Sequence, residues 1–190
     1  ELATLAHALV ALHDVSPRLQ DAIAATGELL SSRIVAAALG DAGLPARWVD
    51  ARDVLVTDAS TPAQPQMDGT RARCAAILEP ILAADGVPVL GGFVGATAAG
   101  VTTTLGRGGS DYSAAIIGSC LGASEIQIWT DVDGMLTADP RIVRDVHVVP
   151  HLSFDEASEL AYFGAKVLHP ATIQPAVAKN IPVRILNSMR

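Results

Sequence analysis

Apolar and polar positions along the chain switch between two periods. Leu2, Leu5, Leu9 and Leu12 recur at the spacing that lines one face of a helix. Ser16-Pro17 then offers a side-chain cap and a first-turn proline, which predicts a second helix reaching Leu39 and ending at Gly40 and Gly43. Short β-prone runs follow at 47–49 and 54–56, and the turn-rich stretch 57–69 predicts an exposed excursion. Residues 70–84 return to helical periodicity despite Pro80.

The second half repeats the alternation. Residues 87–90 are apolar and β-prone and run into Gly91 and Gly92, predicting a buried strand that delivers a ligand-facing loop. That loop is expected to continue through Thr102, Thr103 and Thr104. A helix over 110–121 and a strand over 126–129 come next, with Thr130-Asp131-Val132-Asp133-Gly134 at the strand's carboxyl end. Ser153 and Glu156 form a capping-box pattern before a further helix, 164–180 holds short helical pieces broken around Pro170 and Pro175, and 182–186 reads as a last strand. Helices and strands alternating without repeat, low-complexity tract or linker predict an α/β fold. In such open parallel sheets ligands sit at the carboxyl edge.

Composition narrows the chemistry. With 190 residues, half of them hydrophobic and only 4% aromatic, the chain can bury the core of one sizeable domain. A formal charge of −7 and a pI near 5.0 argue against nucleic-acid or membrane partners, yet leave local cations available for a small anion. Cys74 and Cys120 lie far apart with no CxxC pattern, which fits thiols in a reducing compartment and points to the cytoplasm. No apolar run is expected to reach membrane-span length, and Glu1 opens no signal peptide; the chain reads as soluble and as processed or excised from a longer polypeptide. His147 and His151 are four apart but flank Pro150, a poor arrangement for zinc, and no serine–histidine–acid triad can be assigned from spacing.

The densest chemistry lies in Gly106-Arg107-Gly108-Gly109-Ser110-Asp111, where a loop enters the helix predicted at 110–121. Glycines admit a ligand close to the backbone, a helix start favours negative charge, and a guanidinium clamps a carboxylate or phosphate. Taken singly, Glu28 reads first as a solvated helical residue, Arg107 as surface and Ser110 as a cap, and Asp111 reads also as a first-turn carboxylate favoured by the helix dipole.

Four ordered blocks resemble the aspartate kinases: Gly27-Glu28-Leu29-Leu30-Ser31-Ser32, Thr104 to Ala115 around GRGGSDYSA, Trp129-Thr130-Asp131-Val132-Asp133-Gly134, and Phe163 to Thr172 around FGAKVLHP. The resemblance covers about residues 26 to 187. It implies the amino-acid-kinase fold, a three-layer α/β sandwich with a mostly parallel central sheet, and transfer of the ATP γ-phosphoryl group to the side-chain carboxylate of L-aspartate. That reaction opens the biosynthesis of lysine, threonine and methionine, with ATP and Mg2+ as cofactors and a homo-oligomer as the expected full-length state.

By the same resemblance Glu28, Arg107, Gly108, Gly109 and Ser110 would bind the substrate. Thr130, Asp131, Arg141, Lys166 and Val167 would hold the nucleotide, and Asp111 and Lys166 would act in catalysis; magnesium would sit on phosphates and water, without a dedicated protein cluster. His169 falls inside the last block, where packing against Pro170 and catalysis are equal readings.

Two positions depart from the family pattern. The opening Lys-Phe-Gly-Gly-Thr-Ser block, whose lysine and glycines serve the transferring phosphate, is absent, so 1–190 reads as a partial catalytic domain with its N-terminal part missing and no regulatory domain. Leu136 stands where many relatives place a tyrosine near the nucleotide, and it supplies no hydroxyl. The alternatives are another amino-acid kinase, with glutamate, N-acetylglutamate or a nucleoside monophosphate as acceptor, and a non-catalytic ligand-binding or assembly fragment of the same scaffold.

Overall fold

A computed structural model describes residues 4, 16–138, 141–162 and 170–189. The leucine stripe at Leu2, Leu5, Leu9 and Leu12, and Lys166, Val167 and His169, lie outside the described residues. The chain divides into two compact units, Glu1–Ser113 and Ala114–Arg190.

The first unit opens on α1 (Pro17–Asp41), whose start matches the cap read from sequence: the Leu19 N–H donates to Ser16 Oγ at 3.3 Å, and Pro17 fills the first helical position. After β1 (Ala46–Trp48) the expected strand at 54–56 is largely helical. Asp50 accepts the Arg52 N–H at 3.0 Å and forms an ion pair with the Arg52 guanidinium at 2.6 Å, which starts the short helix α2 (Ala51–Val54) and leaves only β2 (Val56–Thr57) extended. Burial pushes the Asp50 carboxyl up, but the hydrogen bonds and charge of Arg52, with the charge of Arg33, outweigh it and hold the group below its usual range.

The excursion at 57–69 is only partly exposed. Asp58 Oδ1 accepts the N–H groups of Ser60 and Gln64 at its surface, while Ala63 is buried and donates its N–H to the Thr104 carbonyl. The helix predicted at 70–84 starts earlier and has three parts: α3 (Met67–Arg73), a π turn at Cys74–Leu78 and α4 (Glu79–Ala83). Pro80 has no N–H to donate and its ring would strike the preceding turn, so the ladder widens and the Glu79 N–H reaches back to the Cys74 carbonyl.

Strand β3 (Val87–Val89) pairs parallel with β1. A separate sheet has β4 (Val94–Thr97) between β2, parallel, and β5 (Thr102–Thr104), antiparallel. The threonines expected in a loop are therefore a strand. Their β-branched side chains suit a pleated surface, and the buried hydroxyls of Thr103 and Thr57 meet at 2.7 Å across the sheet. Val54, Leu55, Leu78 and Val94 are almost wholly buried at the centre of this unit.

Helix α1 is long and apolar enough, by length and composition, to cross a membrane, contrary to the sequence expectation. In this fold it packs on β1 and β5. Trp48 Nε1–H donates to Ser32 Oγ at 3.1 Å, the Arg33 guanidinium lies 4.0 Å from the Trp48 ring centre, and Thr104 Oγ1–H donates to Asp21 at 2.6 Å.

Helix α5 (Gly109–Leu121) spans the boundary of the two units. In the second unit β6 (Ile126–Thr130) pairs parallel with β7 (Val183–Asn187), in register from Ile126–Val183 to Thr130–Asn187. The predicted capping box starts α6 (Phe154–Tyr162): Ser153 N–H donates to Glu156 at 2.7 Å and the Glu156 N–H returns to Ser153 Oγ at 3.3 Å. A 3-10 turn at Pro170–Ile173 and α7 (Gln174–Val177) lead back to the sheet, and Ala115, Ile126, Ala176 and Ile181 form the local core. Among the described residues three strand pairings are parallel and one antiparallel, in three separate sheets.

Gly95, on β4, admits no side chain. A Cβ there would lie 2.8 Å from the Leu55 carbonyl oxygen, whereas one at Gly40, near the end of α1, would meet nothing. Gly95→Ala is expected to destabilise the fold by about 1–3 kcal/mol. Gly40→Ala is expected to stabilise it by up to about 1 kcal/mol, both read from thermal or urea unfolding.

Candidate active site

The loop that leaves β3 is built around two adjacent residues without side chains. A Cβ on Gly91 would stand 2.9 Å from the Glu28 carbonyl oxygen and 3.3 Å from its Cβ; one on Gly92 would stand 2.9 Å from Ser110 Cα and 3.2 Å from its Oγ. This dipeptide therefore touches α1 at Glu28 on one side and the first turn of α5 at Ser110 on the other. Glu28 and Ser110, 82 positions apart in the chain, are neighbours of the same short loop. Phe93 follows in the left-handed region at φ 69°, a conformation that costs an aromatic residue about 1–3 kcal/mol and persists where surrounding structure enforces it.

The glycine-rich run read from sequence turns directly into α5. Gly106 and Gly108 adopt φ of 75° and 70°, the Gly109 N–H bonds back to the Gly106 carbonyl, and the helical ladder begins with the Tyr112 N–H on the Gly108 carbonyl. Gly109 is buried, while Arg107 and Ser110 are exposed at the loop and the helix start. Asp111 is half-buried, and burial raises its carboxyl above the usual range. The Asp21–Thr104 hydrogen bond ties α1 to β5, the strand that feeds this loop.

The structure thus brings Glu28 and Ser110 to the Gly91-Gly92 loop and Gly109 against the Phe93 that follows it, with Asp111 next along α5 and Arg107 and Gly108 on the segment just before the helix. Gly91, Gly92, Phe93 and Asp21 are missing from the site residues read from sequence. The Gly-Gly pair after a β-prone run was the available signal; the Asp21 contact has none, because its partner is 83 residues away.

In the second unit Thr130 closes β6 half-buried, donating its hydroxyl to the exposed Asp131 at 3.1 Å. Its carbonyl accepts from the N–H and hydroxyl of Ser188, and Asn187 donates to Asp133 at 2.7 Å. Arg141 is exposed in a turn. Leu136 forms an isolated antiparallel backbone bridge with Val148.

A cleft of about 610 Å³ in this unit is lined by Asp133, Met135, His151, Phe154 and Ile185 among others. Thr130, Asp131 and Arg141 are not in its wall, so its size is no argument for a nucleotide there. Among the described residues no three His, Cys, Asp or Glu side chains are grouped to hold a metal ion.

Chemically, the first-unit site offers a carboxylate for a cation at Glu28, a guanidinium for an anion at Arg107, and N–H groups at the start of a thirteen-residue helix. A raised Asp111 means that the folded state binds a proton more readily than the unfolded chain. Its ionised form therefore opposes folding above that range, and the cost fades as pH falls towards the ordinary carboxylate value. Asp111→Asn is expected to raise Tm at pH 7, with the gain shrinking at acidic pH; differential scanning calorimetry across pH reads the trend, and an equal or lower Tm at pH 7 contradicts it.

The chain is 43% identical over 191 residues to aspartokinase 1, chloroplastic, of Arabidopsis thaliana, covering 99% of this chain and 34% of that protein. It is 44% identical over 174 residues to the lysine-sensitive aspartokinase 3 of Escherichia coli K12, covering 91% of this chain and 38% of that protein. The crystal structure of E. coli aspartokinase III in complex with aspartate and ADP superposes at a TM-score of 0.90 with 43% identity, over 99% of this chain and 42% of that one. Its complex with lysine and aspartate gives 0.89 at 42% identity. The chain thus spans well under half the length of these relatives. The amino acid kinase family pattern matches residues 3–187, and together with the α/β architecture and its parallel sheet segments this makes the chain a member of the amino acid kinase family.

Proposed function

We propose that this chain is part of an aspartate kinase catalytic domain, one that transfers the γ-phosphoryl group of ATP to the side-chain carboxylate of L-aspartate and releases ADP and 4-phospho-L-aspartate. The observation that carries the reading is the shared neighbourhood of Glu28 and Ser110 at the Gly91-Gly92 loop, in a fold 43% identical to an aspartokinase solved with aspartate and ADP. L-Aspartate carries one ammonium and two carboxylates. Glu28 complements the ammonium, Arg107 pairs with a carboxylate, and the backbone of Gly108 and Gly109 with Ser110 completes the acceptor pocket.

Phosphoryl transfer needs alignment and charge neutralisation more than covalent help from the protein. Thr130, Asp131 and Arg141, with Lys166 and Val167, are assigned to the nucleotide; Lys166 and Asp111 are assigned to the reacting groups, the first supplying positive charge and the second orienting a cation or the acceptor. Magnesium fits as a partner of ATP phosphates and water, where it neutralises phosphate charge without a protein cage. The full-length enzyme is taken to be a homo-oligomer acting in the cytoplasm on the route to lysine, threonine and methionine.

The test uses the full-length protein, with ADP release and hydroxylamine trapping of the acyl phosphate as readouts. L-Aspartate is expected to be the preferred acceptor, and exclusive turnover of glutamate, N-acetylglutamate or a nucleoside monophosphate rejects the assignment. Calorimetric binding of ATP and aspartate with no ADP formed would mark a non-catalytic scaffold. Arg107→Ala is expected to raise KM for aspartate about 10- to 100-fold with KM for ATP little changed, the loss of a charge-assisted hydrogen bond. Lys166→Ala is expected to lower kcat by several orders of magnitude, as for other lost transition-state cations.

A further inference from the structure

One buried hydroxyl of α5 touches both the glycine-rich helix start and the loop that follows β3. Ser113, on the first turns of α5, is 3% exposed. Its hydroxyl donates to the Gly109 carbonyl one helical turn back, at 2.8 Å, and accepts the Phe93 N–H at 2.9 Å. One oxygen thus joins the buried glycine at the helix start to the left-handed residue that follows Gly91-Gly92. Phe93 is held on its other side as well, where its carbonyl accepts the Leu105 N–H at 2.9 Å.

Two observations argue that this bond sets the pocket. The first is steric: a Cβ on Gly109 would lie 2.6 Å from Phe93 Cδ2 and 3.2 Å from Phe93 Cα, so the Phe93 ring and backbone already rest against the helix start. Phe93 has little freedom to approach further, and among the described residues the Ser113 hydroxyl is the acceptor that holds its N–H, at 2.9 Å. The second is conformational. An aromatic residue leaves the left-handed region unless it is held there, and rotation about its N–Cα bond would swing the Gly92 peptide off Ser110. A serine bonding back to the carbonyl four residues earlier also brings no benefit to the helix itself, where alanine is the better residue.

We propose that Ser113 is a positioning residue of the acceptor site: it clamps Phe93 in its left-handed conformation and thereby sets the spacing between the Gly91-Gly92 loop and the Ser110 turn that receives the carboxylate-bearing acceptor. The inference rests on the aspartate-kinase reading and adds a residue to it. Loss of the hydroxyl takes the acceptor from the part-buried Phe93 N–H and loosens the pocket in ground state and transition state alike, so it acts on binding rather than on turnover.

The experiment compares Ser113→Ala, Ser113→Thr and Ser119→Ala in the full-length enzyme by steady-state kinetics and Tm. Ser119 is a second buried serine of α5, 5% exposed, and serves as the structural control. Ser113→Ala is expected to raise KM for the acceptor about tenfold, with kcat and KM for ATP changed less than about threefold. Ser113→Thr keeps the hydroxyl and is expected to restore the acceptor KM. Ser119→Ala is expected to leave it unchanged whatever its Tm.

An unchanged acceptor KM in Ser113→Ala overturns the proposal. So does a parallel loss for acceptor and ATP, a Ser113→Thr variant no better than Ser113→Ala, or an equal KM rise in Ser119→Ala. If Ser113→Ala does not fold, Ser113→Cys is read in its place, its weaker acceptor for the Phe93 N–H giving a severalfold KM rise or, if KM is unmoved, rejection. Failure of the aspartate reading shows in the wild type, as turnover of a different acceptor; the Ser113 series is then scored on that acceptor. Where nothing is turned over, calorimetric affinity for aspartate takes the place of KM, and a wild type that binds no acceptor overturns both.

Discussion

Everything in the first unit's site depends on the absence of two side chains. At Gly91 and Gly92 the main chain leaving β3 is pressed against Glu28 of α1 and Ser110 of α5, at separations where even a methyl group would collide with backbone. Removing those β-carbons lets two helices from distant parts of the chain share one loop. The cost of so bare a segment is conformational entropy, and it is offset by local hydrogen bonds at Phe93 and by the Asp21–Thr104 bond that fixes α1 to β5. The glycines place the surfaces in contact, and the hydroxyls around them hold that contact in register.

The electrostatic layout follows from the same packing. Arg107 and Ser110 stay exposed at the loop and helix start, where charge and hydrogen bonds are available to a ligand, while Asp111 is drawn half under cover and its carboxyl is raised by burial. A short stretch of chain therefore presents a cation, a helix terminus and a perturbed carboxylate side by side. Such groupings are favoured where a charged substrate must be oriented. In the second unit the turn after β6 is organised differently, by Ser188 and Asn187 beyond β7 and at its end, which fasten the main chain at Thr130 and the side chain of Asp133.

Local chemistry made many elements legible in advance. Ser16-Pro17 started α1 as read, and Ser153 with Glu156 built the capping box of α6, because a cap acts on N–H groups within three residues of itself. The misreadings have different causes. Val54 entered a helix because Asp50 capped it, a signal in the chain that was overridden by the β-prone composition of 54–56. Thr102–Thr104 became a strand because β4 and Thr57 lay beside it, and β4 itself, with a glycine in the middle, had no strand signature of its own. The helix α1 has the length and apolar composition that could cross a membrane, which its periodic pattern did not suggest.

The chain by itself determined its alternation of helices and strands, its caps, and four motif blocks dense enough to resemble one enzyme family. Those are matters of residue type and short spacing, and they survive without knowledge of the fold. What only the tertiary structure decided is which residues meet: that Glu28 and Ser110 flank one glycine pair, that Ser113 reaches Phe93, and that Asp21 reaches Thr104. Contacts across 18 to 83 residues arise from packing many apolar surfaces at once, and no local pattern encodes the distance between two side chains that the core brings together.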